Sequence, residues 1–186
     1  MIMRKFFSIL IIFMFFFNNN TYPNYDKIFY DFSINSIEGN KIDLKKYKNK
    51  AILLINTASF CGFTKQYEDM QKLWNIYKTK GLVVIAVPSS SFNQEKSNNK
   101  EVKEFCEVNF NINFPITEIY EVKGENAHEI YKWAKKNYGK GAIPKWNFHK
   151  ILINKEGKVE ETFNSFINPM SNKILSKIDE ILNHKT

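Results

Sequence analysis

Two short apolar runs that flank one amphipathic segment constrain the fold of this chain more than any other feature. Residues 51–55 and 82–87 consist only of apolar residues, as is typical of strands buried on both faces of a sheet. Between them, apolar side chains recur at helical spacing from Tyr67 to Tyr77, and Gly81 ends the segment. This order predicts a strand, a helix and a second strand, with the two strands parallel and adjacent.

Further strands and helices are expected around this unit. Turn residues between alternating apolar positions predict hairpins over residues 29–44 and 150–163. Apolar periodicity predicts helices over residues 100–109, 128–137 and 171–182. We therefore expect an α/β fold in which a central mixed sheet is flanked by helices on both faces.

The composition favours one globular domain with a basic surface. Of the 186 residues, 44% are apolar, and the net charge of +8 comes from 26 lysines and a single arginine, Arg4. The lysines are spread along the chain, whereas nucleic-acid binding normally shows clustered basic residues or a recognisable reading motif, so nucleic acid is not an expected partner. No residue after Arg4 offers the guanidinium fork that binds carboxylates and phosphates in a bidentate manner.

The first 25 residues differ from the remainder and are expected to form a targeting leader. Arg4 and Lys5 precede the apolar run 6–17, which is shorter than the roughly 20 residues that span a bilayer. No A-x-A cleavage site follows. We expect residues 1–25 to direct the chain to the secretory route, or to an organelle reached through it, with the cytosol as the destination if the leader is bypassed. Residues 26–186 are expected to form the folded domain.

One of the two cysteines, Cys61, lies where the first buried strand gives way to the helix. A thiol at such a turn faces unpaired backbone N–H groups and the positive end of the helix dipole, which favour the thiolate. Gly62 lets the backbone turn sharply, and Ser59 and Thr64 indicate a polar edge rather than an apolar interior. Thr64 is also predicted to be the N-cap of the helix. A cysteine beside a core strand is otherwise a small buried apolar residue, but this pattern favours a nucleophile.

Two segments of the chain resemble the glutathione peroxidase family, in its non-selenium, thioredoxin-dependent branch. The family segment Asn-x-Ala-Ser-x-Cys-Gly-x-Thr corresponds to residues 56–64, and the segment Trp-Asn-Phe-x-Lys-Phe-Leu-Ile corresponds to residues 146–153. The resemblance covers nearly all of residues 29–183. It implies a thioredoxin-like fold.

The resemblance also implies roles for three residues. Cys61 would be the peroxidatic cysteine, and Trp146 and Asn147 would donate hydrogen bonds to its sulfur. An indole N–H and an amide can stabilise a thiolate and the charge on a departing peroxide oxygen. Taken without the resemblance, Trp146 is equally consistent with a core aromatic at the start of a strand, with Asn147 as its turn partner.

The second cysteine, Cys106, lies in a segment that resembles the resolving-cysteine segment of some thioredoxin-dependent members. A sulfenic acid on Cys61 needs a thiol partner before it is over-oxidised, and Cys106 is the only other thiol. The alternative is a buried helical cysteine without a partner. A helical Cys106 would have to move to bring the two Cα atoms within about 7 Å, so we expect a transient disulfide and local unfolding of residues 100–110.

One position departs from the family, which has a third donor, a glutamine, in the segment Pro-Cys-Asn-Gln-Phe-Gly. This chain reads Pro-Ser-Ser-Ser-Phe-Asn over residues 88–93, which puts Ser91 in that place, and Gln94 follows after an apparent one-residue deletion. Either Ser91 is a weaker donor, Gln94 takes over, or the backbone at Cys61 compensates. No glutamine is therefore assigned to the catalytic set.

The expected function is that of a thiol peroxidase that reduces hydrogen peroxide and organic or lipid hydroperoxides. Cys61 would become a sulfenic acid, Cys106 would form a disulfide with it, and thioredoxin or a related dithiol protein would reduce that disulfide. Glutathione is a poorer reductant here, because lysines alone would have to hold its carboxylates. The segment before Trp146 is shorter than in the family's tetrameric members, so the resemblance implies a monomer with an open face for bulky lipid hydroperoxides.

Other functions remain open from the sequence. One is a redox relay or sensor in which Cys61 and Cys106 pass oxidation to a partner protein, and another is a thioredoxin-fold binding module with inert thiols. A peroxiredoxin is disfavoured, because that family has a threonine where this chain has Ala58 and an arginine beside its cysteine. No metal or other cofactor is expected, since the three histidines lack ligand spacing.

Overall fold

The computed structural model describes residues 25–184, so the predicted leader lies outside it except for its last residue. The described chain begins with a 3-10 helix, Phe29–Asp31, and a hairpin of β1 (Ile34–Asn35) and β2 (Lys41–Ile42). The predicted first hairpin is confirmed, but it is shorter than expected. The segment before it is helical rather than extended, which lets Phe29 and Tyr30 pack in the same apolar core, whereas neighbouring side chains of a strand point to opposite faces.

The predicted strand, helix and strand are confirmed. They are β3 (Ala51–Thr57), α1 (Gln66–Tyr77) and β4 (Leu82–Pro88). β3 and β4 pair in parallel along their whole length, and every residue of both strands is buried. The site described below lies at the carboxyl end of β3.

The remaining elements complete a thioredoxin-like α/β fold. They are α2 (Asn99–Phe110), α3 (Glu129–Tyr138), β5 (Lys150–Ile153), β6 (Val159–Phe163) and α4 (Asn172–Asn183). The main sheet has four strands in the order β4-β3-β5-β6, and β5 is antiparallel to both of its neighbours. The mixed sheet, the second hairpin and the three later helices are therefore confirmed.

The sheet separates two apolar cores. The larger core lies against α1, α2 and α4 and contains both cysteines, and the second core lies against α3 and the N-terminal segment. Residues of β3 alternate between them: Leu53 and Ile55 belong to the larger core, Ile52 and Leu54 to the second. Both faces of the sheet are thus covered, as predicted. Among residues 25–184, no helix is long and apolar enough to cross a membrane.

Candidate active site

Cys61 lies in a tight turn between β3 and α1. Its sulfur accepts a hydrogen bond from the N–H of Phe63 at 3.5 Å. Its own N–H donates to the Thr64 hydroxyl oxygen at 3.1 Å, and that hydroxyl lies 2.9 Å from the Ala58 carbonyl oxygen, to which it can donate. The backbone N–H of Phe63 and the hydroxyl of Thr64 thus hold the turn around the sulfur in place.

The prediction that Thr64 caps α1 is wrong. The helix begins at Gln66, and Lys65 stands at the N-cap without a side-chain capping bond. The Thr64 hydroxyl turns back to close the Cys61 turn instead, so it is not available to the first turn of the helix. The N–H of Phe63 reaches the sulfur, and α1 itself begins five residues after Cys61.

The surroundings of the Cys61 thiol are also less polar than predicted. Cys61 is only 8% exposed and packs in the larger apolar core. The side chain of Ser59 is also buried. Phe60, by contrast, is 62% exposed immediately before the cysteine.

Asn56 joins the strand that leads to Cys61 to the loop that precedes β5. Its side-chain amide donates to the carbonyl oxygen of Trp146 at 3.2 Å, and its side-chain oxygen accepts from the N–H of His149 at 3.2 Å. Its backbone carbonyl accepts from the N–H of Phe148 at 2.6 Å. Sequence reasoning missed this role, although one signal was present: an asparagine near the end of an otherwise apolar strand must find buried hydrogen-bond partners.

The structure brings Trp146 and Asn147 to the same edge of the sheet as Cys61. Trp146 is 42% exposed and packs against Phe92, with ring centroids 5.3 Å apart, so it is not a core aromatic. Asn147 is fully buried, and its amide donates to the side-chain oxygen of Gln94 at 2.9 Å. Within residues 25–184, neither side chain donates a hydrogen bond to the sulfur of Cys61. Their role as sulfur donors therefore stays a prediction.

Of Ser91 and Gln94, only Gln94 forms a hydrogen bond with Asn147. The Ser91 hydroxyl donates to the Glu121 carboxylate and accepts from the N–H of Val122 at 2.9 Å. Its hydrogen bonds are therefore made with the segment around residues 121–122 and not with Asn147. Gln94 meets Asn147 with its side chain, and its backbone carbonyl accepts from the N–H of Phe60 at 2.9 Å. Gln94 thus connects the Asn147 loop to the residue before Cys61.

Cys106 lies in the middle of α2, the helix predicted over residues 100–109, and is completely buried. Both cysteines are free thiols. Burial raises the pKa of the Cys106 thiol to about 12, and the charges of Glu95 and Glu107 also raise it. In this conformation Cys106 is therefore a protonated, unreactive thiol near neutral pH.

Metal-ligand geometry is absent from the described part of the chain. No group of three or more His, Cys, Asp or Glu residues between positions 25 and 184 could hold a metal ion. His128 caps α3 by accepting the N–H of Ile130 at its Nδ1 atom, and His149 is buried with its pKa lowered to about 4 by burial and by nearby lysine charges.

Comparison with known proteins decides the family. The sequence profile of the glutathione peroxidases matches residues 29–135, more than half of the chain. The chain belongs to the glutathione peroxidase family. It is a peroxidase that reduces hydroperoxides, and the resemblance drawn from the two motifs is confirmed.

Individual relatives of this peroxidase match over nearly their whole length. A glutathione peroxidase of Lactococcus lactis is 41% identical over 139 residues, which cover 73% of this chain and 88% of the relative. The glutathione peroxidase-like peroxiredoxin GPX5 of Chlamydomonas reinhardtii is 37% identical over 158 residues, which cover 83% of this chain and 96% of the relative. The crystal structure of T. cruzi GPX1 has a TM-score of 0.66 at 30% identity, covering 84% of this chain and 97% of that chain.

The contact between Gln94 and Asn147 leads to a first prediction for this peroxidase. Gln94→Ala is expected to lower kcat/KM for hydrogen peroxide by about tenfold, because losing one buried hydrogen bond costs about 1–1.5 kcal/mol. Ser91→Ala is the matched control in the same loop and is expected to change kcat/KM by less than about twofold. Steady-state peroxide consumption measures both. A larger loss for Ser91→Ala would mean that the serine has taken over the role of the family glutamine.

Proposed function

We propose that this chain is a thiol peroxidase that reduces hydrogen peroxide and organic or lipid hydroperoxides, and that thioredoxin or a related dithiol protein recycles it. The observation that carries the proposal is the position of Cys61. Its sulfur accepts the N–H of Phe63, and Asn56 ties the Trp146 loop to the strand that leads to the cysteine.

In the first step, the Cys61 thiolate attacks an oxygen of the hydroperoxide. A sulfur–oxygen bond forms while the oxygen–oxygen bond breaks, so the sulfur loses two electrons to the peroxide. The leaving alkoxide or hydroxide takes up a proton and departs as alcohol or water. Trp146 and Asn147 are the groups proposed to stabilise the charge on that oxygen. The Asn147 amide carries two hydrogens, of which one is donated to Gln94, so the second remains for this purpose.

In the second step, Cys106 attacks the sulfenic acid of Cys61. A sulfur–sulfur bond forms, the sulfur–oxygen bond breaks, and water is released. The buried, helical position of Cys106 requires α2 to open before this step. Opening also removes the burial that raises the pKa of its thiol, so the same movement makes Cys106 both accessible and reactive.

The proposed reductant is a dithiol protein rather than glutathione. A disulfide between Cys61 and Cys106 is the natural substrate of a dithiol, which reduces it by thiol–disulfide exchange. Glutathione carries two carboxylates, and the folded domain has no arginine to bind them in a bidentate manner.

The surface around Cys61 supports acceptance of bulky apolar hydroperoxides. Phe166 is 81% exposed and packs edge-to-face against Phe63, with ring centroids 5.1 Å apart. Phe60 is also exposed, and the Lys96 ammonium lies 4.8 Å from the centroid of its ring. Exposed aromatics beside a cation offer contact to an acyl chain and to an anionic head group.

Two further expectations belong to this proposal. The connection between α3 and β5 is short, which favours a monomer. The leader predicted at residues 1–25 would take the peroxidase into the secretory route or to an organelle reached through it.

Mass spectrometry after one equivalent of hydrogen peroxide tests the proposed cycle. The wild-type protein is expected to form a disulfide between Cys61 and Cys106, because the sulfenic acid has only this thiol as an internal partner. Cys106→Ser is expected to trap the sulfenic acid, seen as a dimedone adduct on Cys61. Its turnover with thioredoxin is expected to fall, since no internal disulfide can form. Equal thioredoxin-dependent turnover in the variant would contradict the role of Cys106.

A further inference from the structure

Lys96 contacts the residues that precede the two cysteines. Its ammonium is 4.8 Å from the centroid of the Phe60 ring and 5.4 Å from the centroid of the Phe105 ring. Phe60 directly precedes Cys61, and Phe105 directly precedes Cys106 on α2. Both distances are within the roughly 6 Å over which a cation is attracted to the face of an aromatic ring. One side chain thus connects the Cys61 turn to the helix that carries the second cysteine.

The two rings are the groups that hold this ammonium. Lys96 is half-buried, and no salt bridge within residues 25–184 includes it. A cation that is partly removed from water is attracted to a ring more strongly than a fully hydrated one. The contact with Phe60 and Phe105 therefore contributes to keeping α2 in its closed position.

The short segment before Lys96 is fixed to the turn of the nucleophile by two hydrogen bonds. The N–H of Phe60 donates to the carbonyl oxygen of Gln94 at 2.9 Å. The N–H of Ser59 donates to the carboxylate of Glu95 at 3.0 Å. These bonds do not involve α2, so Lys96 stays with the turn when the helix moves.

We propose that Lys96 holds α2 closed against the Cys61 turn and thereby sets the rate at which Cys106 reaches the sulfenic acid. This role rests on the proposed function, in which α2 opens before the disulfide forms. Phe105 is the neighbour of Cys106, so an opening that exposes Cys106 also takes the Phe105 ring away from Lys96. Each opening therefore costs the free energy of this contact.

The direction of the rate change separates the possible roles of Lys96. If the lysine holds the closed position, its removal increases the population of open α2 and speeds disulfide formation. If it guides the opened segment toward Cys61 instead, its removal slows that step. Val102 and Cys106 are completely buried in the larger core. They continue to anchor α2 when Lys96 is replaced, so the variants are expected to remain folded.

The opening of α2 is measured first, without peroxide. In a Cys61→Ser background Cys106 is the only thiol, so its rate of alkylation by iodoacetamide, followed by mass spectrometry, reports how often α2 opens. Lys96→Gln is expected to raise this rate about fivefold to tenfold, because two contacts between a cation and a ring are lost. Lys96→Arg keeps a cation at this position and is expected to stay within about twofold of the protein with Lys96.

Lys100→Gln is the matched control. Lys100 lies in the first turn of α2, its side chain is exposed, and its ammonium is 3.9 Å from the carboxylate of Glu104. The variant removes the same charge from the same region without touching either ring, and alkylation is expected to change by less than about twofold. An increase as large as that of Lys96→Gln would show a general effect of charge and would contradict the role of Lys96.

A double variant tests whether Lys96 acts through the ring of Phe105. Phe105→Leu alone also removes the packing of that ring against Phe110, with centroids 5.6 Å apart, so it opens α2 for two reasons. If the lysine acts through the ring, Lys96→Gln raises alkylation less in the Phe105→Leu protein than in the protein with Phe105. Equal factors in both proteins would mean that the two residues act independently, which would contradict the proposal.

The same variants with Cys61 present test the effect on the cycle. After one equivalent of hydrogen peroxide, disulfide formation from the sulfenic acid is followed by quenched alkylation and mass spectrometry. Lys96→Gln is expected to speed this step by about the factor found for alkylation. Unchanged or slower alkylation, or faster alkylation without faster disulfide formation, would overturn the role of Lys96 alone. A wild-type protein that oxidises Cys61 but forms no disulfide with Cys106 would overturn the proposed cycle.

Discussion

Replacing Cys61 with serine is expected to lower peroxide-dependent turnover by about a thousandfold or more, the scale of effect seen when a nucleophile is removed. The serine hydroxyl is nearly isosteric with the thiol, so the turn closed by Thr64 should persist. An alcohol is not ionised near neutral pH and is a weak nucleophile toward an oxygen–oxygen bond. The measurement is the oxidation of NADPH in the presence of hydrogen peroxide, thioredoxin and thioredoxin reductase.

Two comparisons make this result specific. Cys106→Ser keeps the nucleophile and should still lose its Cys61 thiol signal after one equivalent of peroxide, whereas Cys61→Ser should show no oxidation at either site. Circular dichroism checks that both variants remain folded. Turnover near that of wild type in Cys61→Ser would exclude this residue as the nucleophile. A wild-type protein that is oxidised once but does not turn over with any dithiol would favour the redox relay instead.

Much of the fold could be predicted because the strands and helices of this chain are locally distinct. The run from Ala51 to Ile55 and the run from Leu82 to Val87 are too short for helices and too apolar for loops, so they indicate buried strands. The position of Cys61 at the end of the first run followed from the same pattern. Such inferences succeed because burial on both faces of a sheet leaves a plain compositional signal.

The side-chain contacts that could not be predicted are made by loop residues, and they depend on how each loop folds. Thr64 has the residue type of an N-cap, but its hydroxyl closes the Cys61 turn, and no local preference distinguishes these two uses. Whether Ser91 or Gln94 meets Asn147 depends on how the chain turns at Asn93, which adopts a left-handed conformation with φ of 56°. The contact between Gln94 and Asn147 joins residues far apart in sequence, so it emerges only from the assembled fold.

Lys150 is a buried charged residue to which the sequence analysis assigned no role. It is completely buried on β5, opposite Ile55 and Phe163, and so faces the larger apolar core. Its ammonium donates to the side-chain oxygen of Gln66 at 2.6 Å, and no salt bridge within residues 25–184 includes it. Burial lowers its pKa to about 7. A buried lysine without a carboxylate partner destabilises a fold.

The low pKa of Lys150 predicts how stability depends on pH. The lysine has its ordinary pKa near 10.5 in the unfolded chain and about 7 in the folded protein. Between these values the unfolded chain binds more protons, so the free energy of unfolding rises with pH. Lys150 dominates between pH 7 and pH 8.5, because His149 and Cys106, with ordinary pKa values of 6.5 and 9.0 in the unfolded chain, contribute only at the two ends of that window. Over that window the expected gain is about 2 kcal/mol.

Lys150→Met is expected to remove this pH dependence and to stabilise the protein at pH 7. Relief of the buried charge contributes about 4 kcal/mol, whereas leaving the Gln66 side-chain oxygen unpaired costs about 1–3 kcal/mol. The net gain is therefore about 1–3 kcal/mol, measured by urea unfolding followed through tryptophan fluorescence at several pH values. Lys48→Met, at an exposed position, is the control and should keep the wild-type slope. An equal slope in Lys150→Met and wild type would mean that Lys150 stays protonated in the core, with its charge compensated by groups other than Gln66.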